Sequence, residues 1–266
     1  MIQSAIKHLK YYGHRAQVEL MQLWEYRVDT LSTNLGTYGY TLMTLLFIQV
    51  IFNQTDSIAG WTQDQILVLF GTGQMLFYLH MSIFWSTYDD ITRLIRKGEL
   101  DRFLLKPINS LFAISTDKFG FVELIPSFLP TLIVIRHGLI NLNWVFNLNL
   151  VFYIGSFLIS LAIYYCMYML IALLSFWWTD TTEIHGLYHR IDELQNYPAE
   201  IYPPIIKTLF FLIVPVGIVA YAPTVFLIHG FQLELFLYQL LALIIFVTLT
   251  KILWTKGLQN YSSASS

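Results

Sequence analysis

Few side chains in this sequence could take part in chemistry, and they are spread along the chain. His185 and His189 stand four apart on a predicted helix, a spacing that can bring two imidazoles to one metal ion. No HExxH glutamate and no further Cys or His flanks them, so no metal site is expected. With Asp192 they make the best catalytic cluster the sequence offers to an enzyme acting on lipid at one membrane face. His80 is the one imidazole deep in a predicted span, where ionisable groups are functional candidates by default. A neutral histidine bonded to a neighbouring helix is the competing reading. Glu123 stands near the start of another span, either as a substrate-sensing carboxylate or as an interfacial one. A channel or secondary carrier would need its own polar path, and Gln74, His80 and Glu123 are the only candidates for it.

The elements that must position these residues are apolar helices. Of the 266 residues 56% are hydrophobic and 12% charged, with a mean hydropathy of +0.58, which is the composition of a polytopic membrane protein. A net charge of -2 gives no footing for nucleic acid. Cys166 falls inside an apolar run and, as the single cysteine, can form no disulfide within the chain. We expect an all-α membrane protein with six transmembrane helices. Residues 1–29 read as an amphipathic helix at the interface, with basic residues toward lipid headgroups, or else as a plain cytoplasmic helix. No removable signal peptide is expected. Residues 30–88 hold spans one and two, 89–110 a charged cytoplasmic element, and 111–178 spans three and four. Residues 179–207 form a second cytoplasmic segment, 208–254 hold spans five and six, and 255–266 a cytoplasmic tail. The small and hydroxyl residues that open the first span, LSTNLGTYGYT, suit close helix contact in lipid, with a substrate site as the competing reading. Pro126 and Pro130 predict a kinked or re-entrant third span.

The densest charge lies between Ile91 and Asn109, ITRLIRKGELDRFLLKPIN. Ile91, Leu94 and Ile95, then Leu100, Phe103 and Leu104, recur at helical steps, which predicts two short amphipathic helices broken at Gly98 and closed by Pro107. Tied to spans at both ends, this element is placed to receive force from a soluble partner. With an inner N-terminus, every Lys and Arg except Arg136 falls on the inner side or its boundary. That puts both termini, the charged element and residues 179–207 in the cytoplasm. The sequence holds no GxxxxGK[ST] phosphate loop and no chain of buried acids of the kind that drives carriers. Docking of a separate ATPase on the charged element is therefore the expected energy source.

Three stretches carry a resemblance. Ile95 to Asn109, IRKGELDRFLLKPIN, resembles the IRxGELDxxLLxPxN signature of one branch of bacterial ABC-2 type permeases. Phe176 to Pro203, with its FW, T, YP and IYP elements, followed by Pro215, Tyr221 and Pro223, is similar to a second signature of that branch. The closing GLQNYSSASS is similar to its G-x-x-x-Y-x-S-A-S/G ending. Lys106 stands where arginine is common, and Trp178 is an added aromatic. The resemblance implies a permease subunit of an ABC exporter in the bacterial cytoplasmic (inner) membrane, with six spans per chain. It implies pairing with a second permease, the same chain or a paralogue, and with ABC ATPase subunits that hold the ATP and Mg. The chain itself would hold no cofactor and catalyse nothing. In that architecture Gly98, Glu99, Leu100, Asp101, Arg102 and Pro107 belong to the cytoplasmic coupling helix. Leu100, Phe103 and Leu104 would fill an apolar cleft of the ATPase, with Glu99, Asp101 and Arg102 in rim ion pairs. An ordinary helix at headgroup level is the competing reading. Multidrug export of amphiphilic or cationic compounds is what the family suggests, and lipid or peptide export fits equally well.

Overall fold

The computed structural model describes residues 27–107, 109–115, 117, 121–178, 184, 186 and 190–261. Residues 1–26 of the predicted interfacial helix lie outside them, as do His185 and His189. Helix α1 (Arg27–Phe52) has no charged residue after Asp29, and a tight turn bridged between Ile58 and Trp61 leads out of it. Helix α2 (Gln63–Lys97) starts in a capping box, in which Thr62 accepts from the Gln65 N–H while the Gln65 side chain accepts from the Thr62 N–H. Its 35 residues make it about 50 Å long at about 1.5 Å per residue, enough to cross hydrocarbon and protrude. It ends at Gly98, whose φ of 66° is a left-handed conformation that favours glycine, and the Glu99 N–H closes the last turn on the Leu94 carbonyl at 2.9 Å.

The single turn α3 (Asp101–Leu104) and the short α4 (Ser110–Ser115) follow, then α5 (Phe121–Asn141) and α6 (Asn149–Leu173), which tightens into a 3-10 turn up to Phe176. Two further 3-10 turns, Glu193–Asn196 and Ala199–Ile201, precede α7 (Pro204–Thr208). A π-helical turn, Leu209–Ile213, connects α7 to α8 (Val216–His229), and α9 (Leu233–Asn260) completes the described chain. Among the described residues the fold is helical, with one isolated β-bridge. Among the described residues four helices are long and apolar enough to cross a membrane, or five when the bent α7–α8 pair counts as one.

Three predicted elements take a different form. The third span is a continuous helix, not a re-entrant one, that runs through Pro126 and Pro130 to Asn141 and takes in Arg136. The fifth is bent by 89° where Pro215 interrupts the ladder. Gly217 lets the chain fold back there, since a Cβ at that position would lie 2.6 Å from the Phe211 ring. The predicted helix before Gly98 is the last two turns of α2, and the one after it is only α3.

Helix α6 is the centre of the bundle and packs against α2, α8 and α9, with Tyr164, Met167, Tyr168, Ala172 and Leu173 buried. Because lipid is as apolar as leucine, close packing and hydrogen bonds hold such helices together. Gln239 of α9 accepts from the Ser156 hydroxyl at 2.9 Å and donates to the Ser160 hydroxyl at 2.8 Å. Thr72 of α2 meets the Tyr153 hydroxyl at 3.3 Å. Helices α2 and α5 approach through glycines: a Cβ on Gly71 would lie 2.6 Å from Ile135, and one on Gly138 2.7 Å from the Asp64 carbonyl. Gly138→Leu should therefore cost about 1–3 kcal/mol, as overpacking does. It should lower the thermal midpoint of the solubilised protein. Gly36→Leu, with nothing within 4 Å of the added Cβ, should leave that midpoint in place, and equal shifts would contradict this packing.

Candidate functional site

Two places gather residues able to act. The first is the turn that closes α2. After Gly98 reverses the chain, Leu100 and Phe103 fold back into the bundle and are 0% and 2% exposed. The Leu100 N–H donates to the Tyr261 hydroxyl at 2.9 Å, which pins the turn to the end of α9. Burial raises the pKa of Tyr261, so that hydroxyl stays neutral at physiological pH. Arg102 and Lys106 lie over the Phe103 ring at 4.7 and 4.5 Å from its centroid. Arg93 bonds Asp90 at 2.7 Å and reaches Glu99 at 3.7 Å. Of the predicted coupling residues, Gly98, Leu100 and Phe103 thus shape and anchor the turn, and Asp101 is half-buried. Glu99, Arg102, Leu104 and Pro107 face out.

Leu100 and Phe103 were expected in a partner's cleft. They are buried against their own chain, which leaves Leu104 and above all Leu105, 85% exposed, as the outward apolar pair. The double leucine was the signal for Leu105, but helical periodicity alone gave it no role. The first and last of the stretches that carry the sequence resemblance meet here, and Phe176, where the second begins, packs beside them. Tyr261 of the last holds Leu100 of the first, and Gly257 of the last presses on Phe176 of the second so closely that a Cβ would overlap the ring.

The second place is a cavity of about 310 Å³ between α1, the middle of α2 and residues 192–196. Thr37 and Tyr40 of α1 face Gln74 and Tyr78 of α2, with Glu193 and Gln195 on the third wall. Asp192, 2% exposed, accepts from the Tyr164 hydroxyl and from the Tyr168 hydroxyl at 3.2 Å. The Gln195 amide donates to the Tyr164 hydroxyl at 3.0 Å. Gln195 Oε1 and Asn196 Oδ1 are buried and have no hydrogen-bond partner among the described residues, and Asn196 is pressed on Gly73, where a Cβ would lie 2.6 Å from its Oδ1. Farther on, Glu200 accepts from the Trp61 indole N–H at 3.0 Å and from the Tyr221 hydroxyl at 2.5 Å.

Residues 192–200 therefore run alongside α2 from about its middle to its N-terminal end, the end away from Gly98. The predicted segment 179–207, placed wholly at the charged end, differs from this over its described part. The physical reason is that its polar side chains find partners on tyrosines and a tryptophan inside the bundle, which composition alone does not reveal. Gln74 lines the cavity. His80 does not: it lies behind, its Nε2 at 2.7 Å from the Tyr88 hydroxyl of its own helix and its ring stacked on Tyr164 at 4.4 Å. The expected bond to a neighbouring helix is thus a ring stack, and the hydrogen bond stays within α2. The side chain of Glu123 lies outside the described residues. Cys166 is buried in α6. Among the described residues no group of three His, Cys, Asp or Glu side chains could hold a metal ion. Carboxylates, amide oxygens and aromatic rings together suit a solute that offers positive charge or N–H donors.

A family model described as ABC-2 family transporter protein matches residues 38–265. No curated protein and no solved structure matched the chain.

Proposed function

The chain belongs to the ABC-2 family of transporter proteins, and from that premise we propose that it is the non-catalytic permease subunit of an ATP-driven exporter. Members of this family are membrane subunits of ABC transporters, and the apolar helices fit a multi-pass membrane protein. In this reading α5 and the bent α7–α8 pair complete six spans, and the cavity between α1, α2 and residues 192–196 belongs to the translocation path. Both termini and the α3 turn face the bacterial cytoplasm. Separate ABC ATPase subunits carry ATP and Mg. A second permease, this chain or a paralogue, covers the open face of α1, where Leu35, Leu42, Met43 and Leu46 are exposed.

The observation that carries the reading is the turn after α2. A rigid helix of 35 residues ends in a glycine cap, the next two apolar side chains lock the turn into the bundle, and Leu104 and Leu105 are left outside. A lever attached this way transmits a push on the turn into α2, and α2 lines the cavity through Gln74 and Tyr78. Copurification of the tagged full-length chain from its native membrane tests the reading. It should bring down an ATPase with a GxxxxGK[ST] loop and a second permease chain. A chain that purifies alone and still moves solute down a pH gradient in liposomes would instead be a secondary carrier.

A further inference from the structure

A larger hollow, about 950 Å³ or roughly three times the first, opens between α2, α4, α6 and α9. Its walls are apolar, with Phe84, Phe112, Leu158, Leu161 and Trp254 among them, and among the described residues Lys251 is the one charged side chain that lines it. Two polar groups on the wall are already matched to each other, since the Ser115 and Tyr165 hydroxyls lie 2.6 Å apart. Lys251 is exposed and forms no ion pair among the described residues. It stands eighteen residues into α9, about 27 Å along the helix from Leu233. That places it toward the end that carries the α3 turn. Leu158 and Leu161 lie farther along the groove toward the other end, in the first half of α6. Leu158 and Phe112 are more than half exposed, so the hollow is open to the surrounding lipid.

A greasy channel with one cation at one end is complementary to an amphiphile with one anionic end. We propose that this groove holds an anionic phospholipid, its phosphate on Lys251 and an acyl chain along Phe84, Leu158 and Leu161. The lysine stem lies on the apolar wall and delivers its ammonium to headgroup level. A basic side chain at the mouth of a groove between membrane helices selects anionic headgroups. A zwitterionic lipid brings its own ammonium to the same point and gains less. The site does not depend on the transport reading, because neither the cavity nor the α3 turn contributes to it.

Native mass spectrometry of the full-length protein, released from micelles containing phosphatidylglycerol or phosphatidylcholine, tests the proposal. The wild type should retain one phosphatidylglycerol per chain in preference to phosphatidylcholine. Lys251→Glu should reduce retained phosphatidylglycerol by about fivefold or more, the loss expected for one basic contact near a lipid surface. Ala162→Trp, which fills the groove but keeps the lysine, should displace it too. Equal retention of the two lipids by the wild type, or unchanged retention in Lys251→Glu, would overturn the assignment. So would efficient disulfide formation between two copies carrying Leu158→Cys, because a second copy would then occupy the groove.

Discussion

Leu104→Asp combined with Leu105→Asp should abolish ATP-dependent transport while leaving the amount and thermal midpoint of the protein at wild-type values. Both side chains point away from the bundle, at 36% and 85% exposure, so neither supports the fold. Burying a leucine is worth about 1.5–3 kcal/mol, and two carboxylates in an apolar cleft forfeit that gain twice. Docking should weaken by about a hundredfold or more. Transport in vesicles, and stimulation of the partner ATPase by the permease, are the measurements. The contrast is Phe103→Asp, which should lower the midpoint itself, since its ring is buried against the chain and lies under Arg102 and Lys106. Retained transport in the double variant would remove the turn from the coupling role.

The second large effect is expected at Asp192. Replacing it with alanine leaves the Tyr164 and Tyr168 hydroxyls without their buried acceptor. Each unsatisfied donor costs about 1–3 kcal/mol, so a loss on the order of 2–4 kcal/mol is expected. Asp192 also fixes the position of Glu193 and Gln195 on the cavity wall, so transport should fall further than stability alone explains. Asp192→Asn, which keeps an acceptor oxygen for the tyrosines, should restore most of the midpoint. If alanine and asparagine lower the midpoint equally, the hydrogen bonds to the tyrosines are not what the position requires.

The legible parts of this protein were those governed by composition and by local chemistry. Apolar runs located α1, α2, α6 and α9, and the glycine at position 98 marked the end of α2 because a left-handed cap has a residue signature. The course of residues 190–201 was not legible. Polarity there reads as solvent, yet Asp192 and Glu200 accept from Tyr164, Tyr221 and Trp61, and the Gln195 amide donates to Tyr164, residues from 21 to 139 positions away. No periodicity encodes such pairings. Gln74, a candidate for a polar path, lines the cavity together with Thr37 and Tyr40 from the hydroxyl-rich start of α1 and with Glu193, which was not singled out. The hydroxyl-rich start of α1 reads as a surface for close helix contact, and Gly36, Thr37 and Tyr40 of it line the cavity against α2, while a Cβ on Gly36 or Gly39 would have nothing within 4 Å among the described residues.

Crosslinking from the tip of the α3 turn tests the central claim most directly. In inside-out and right-side-out vesicles, Leu105→Cys in a chain whose Cys166 is replaced by serine should react with a membrane-impermeant maleimide only when the cytoplasmic face is outward. In the intact assembly a short bifunctional reagent should join that position to the ATPase subunit. Labelling from the opposite face, or an assembly in which position 105 reaches no second protein, would contradict it.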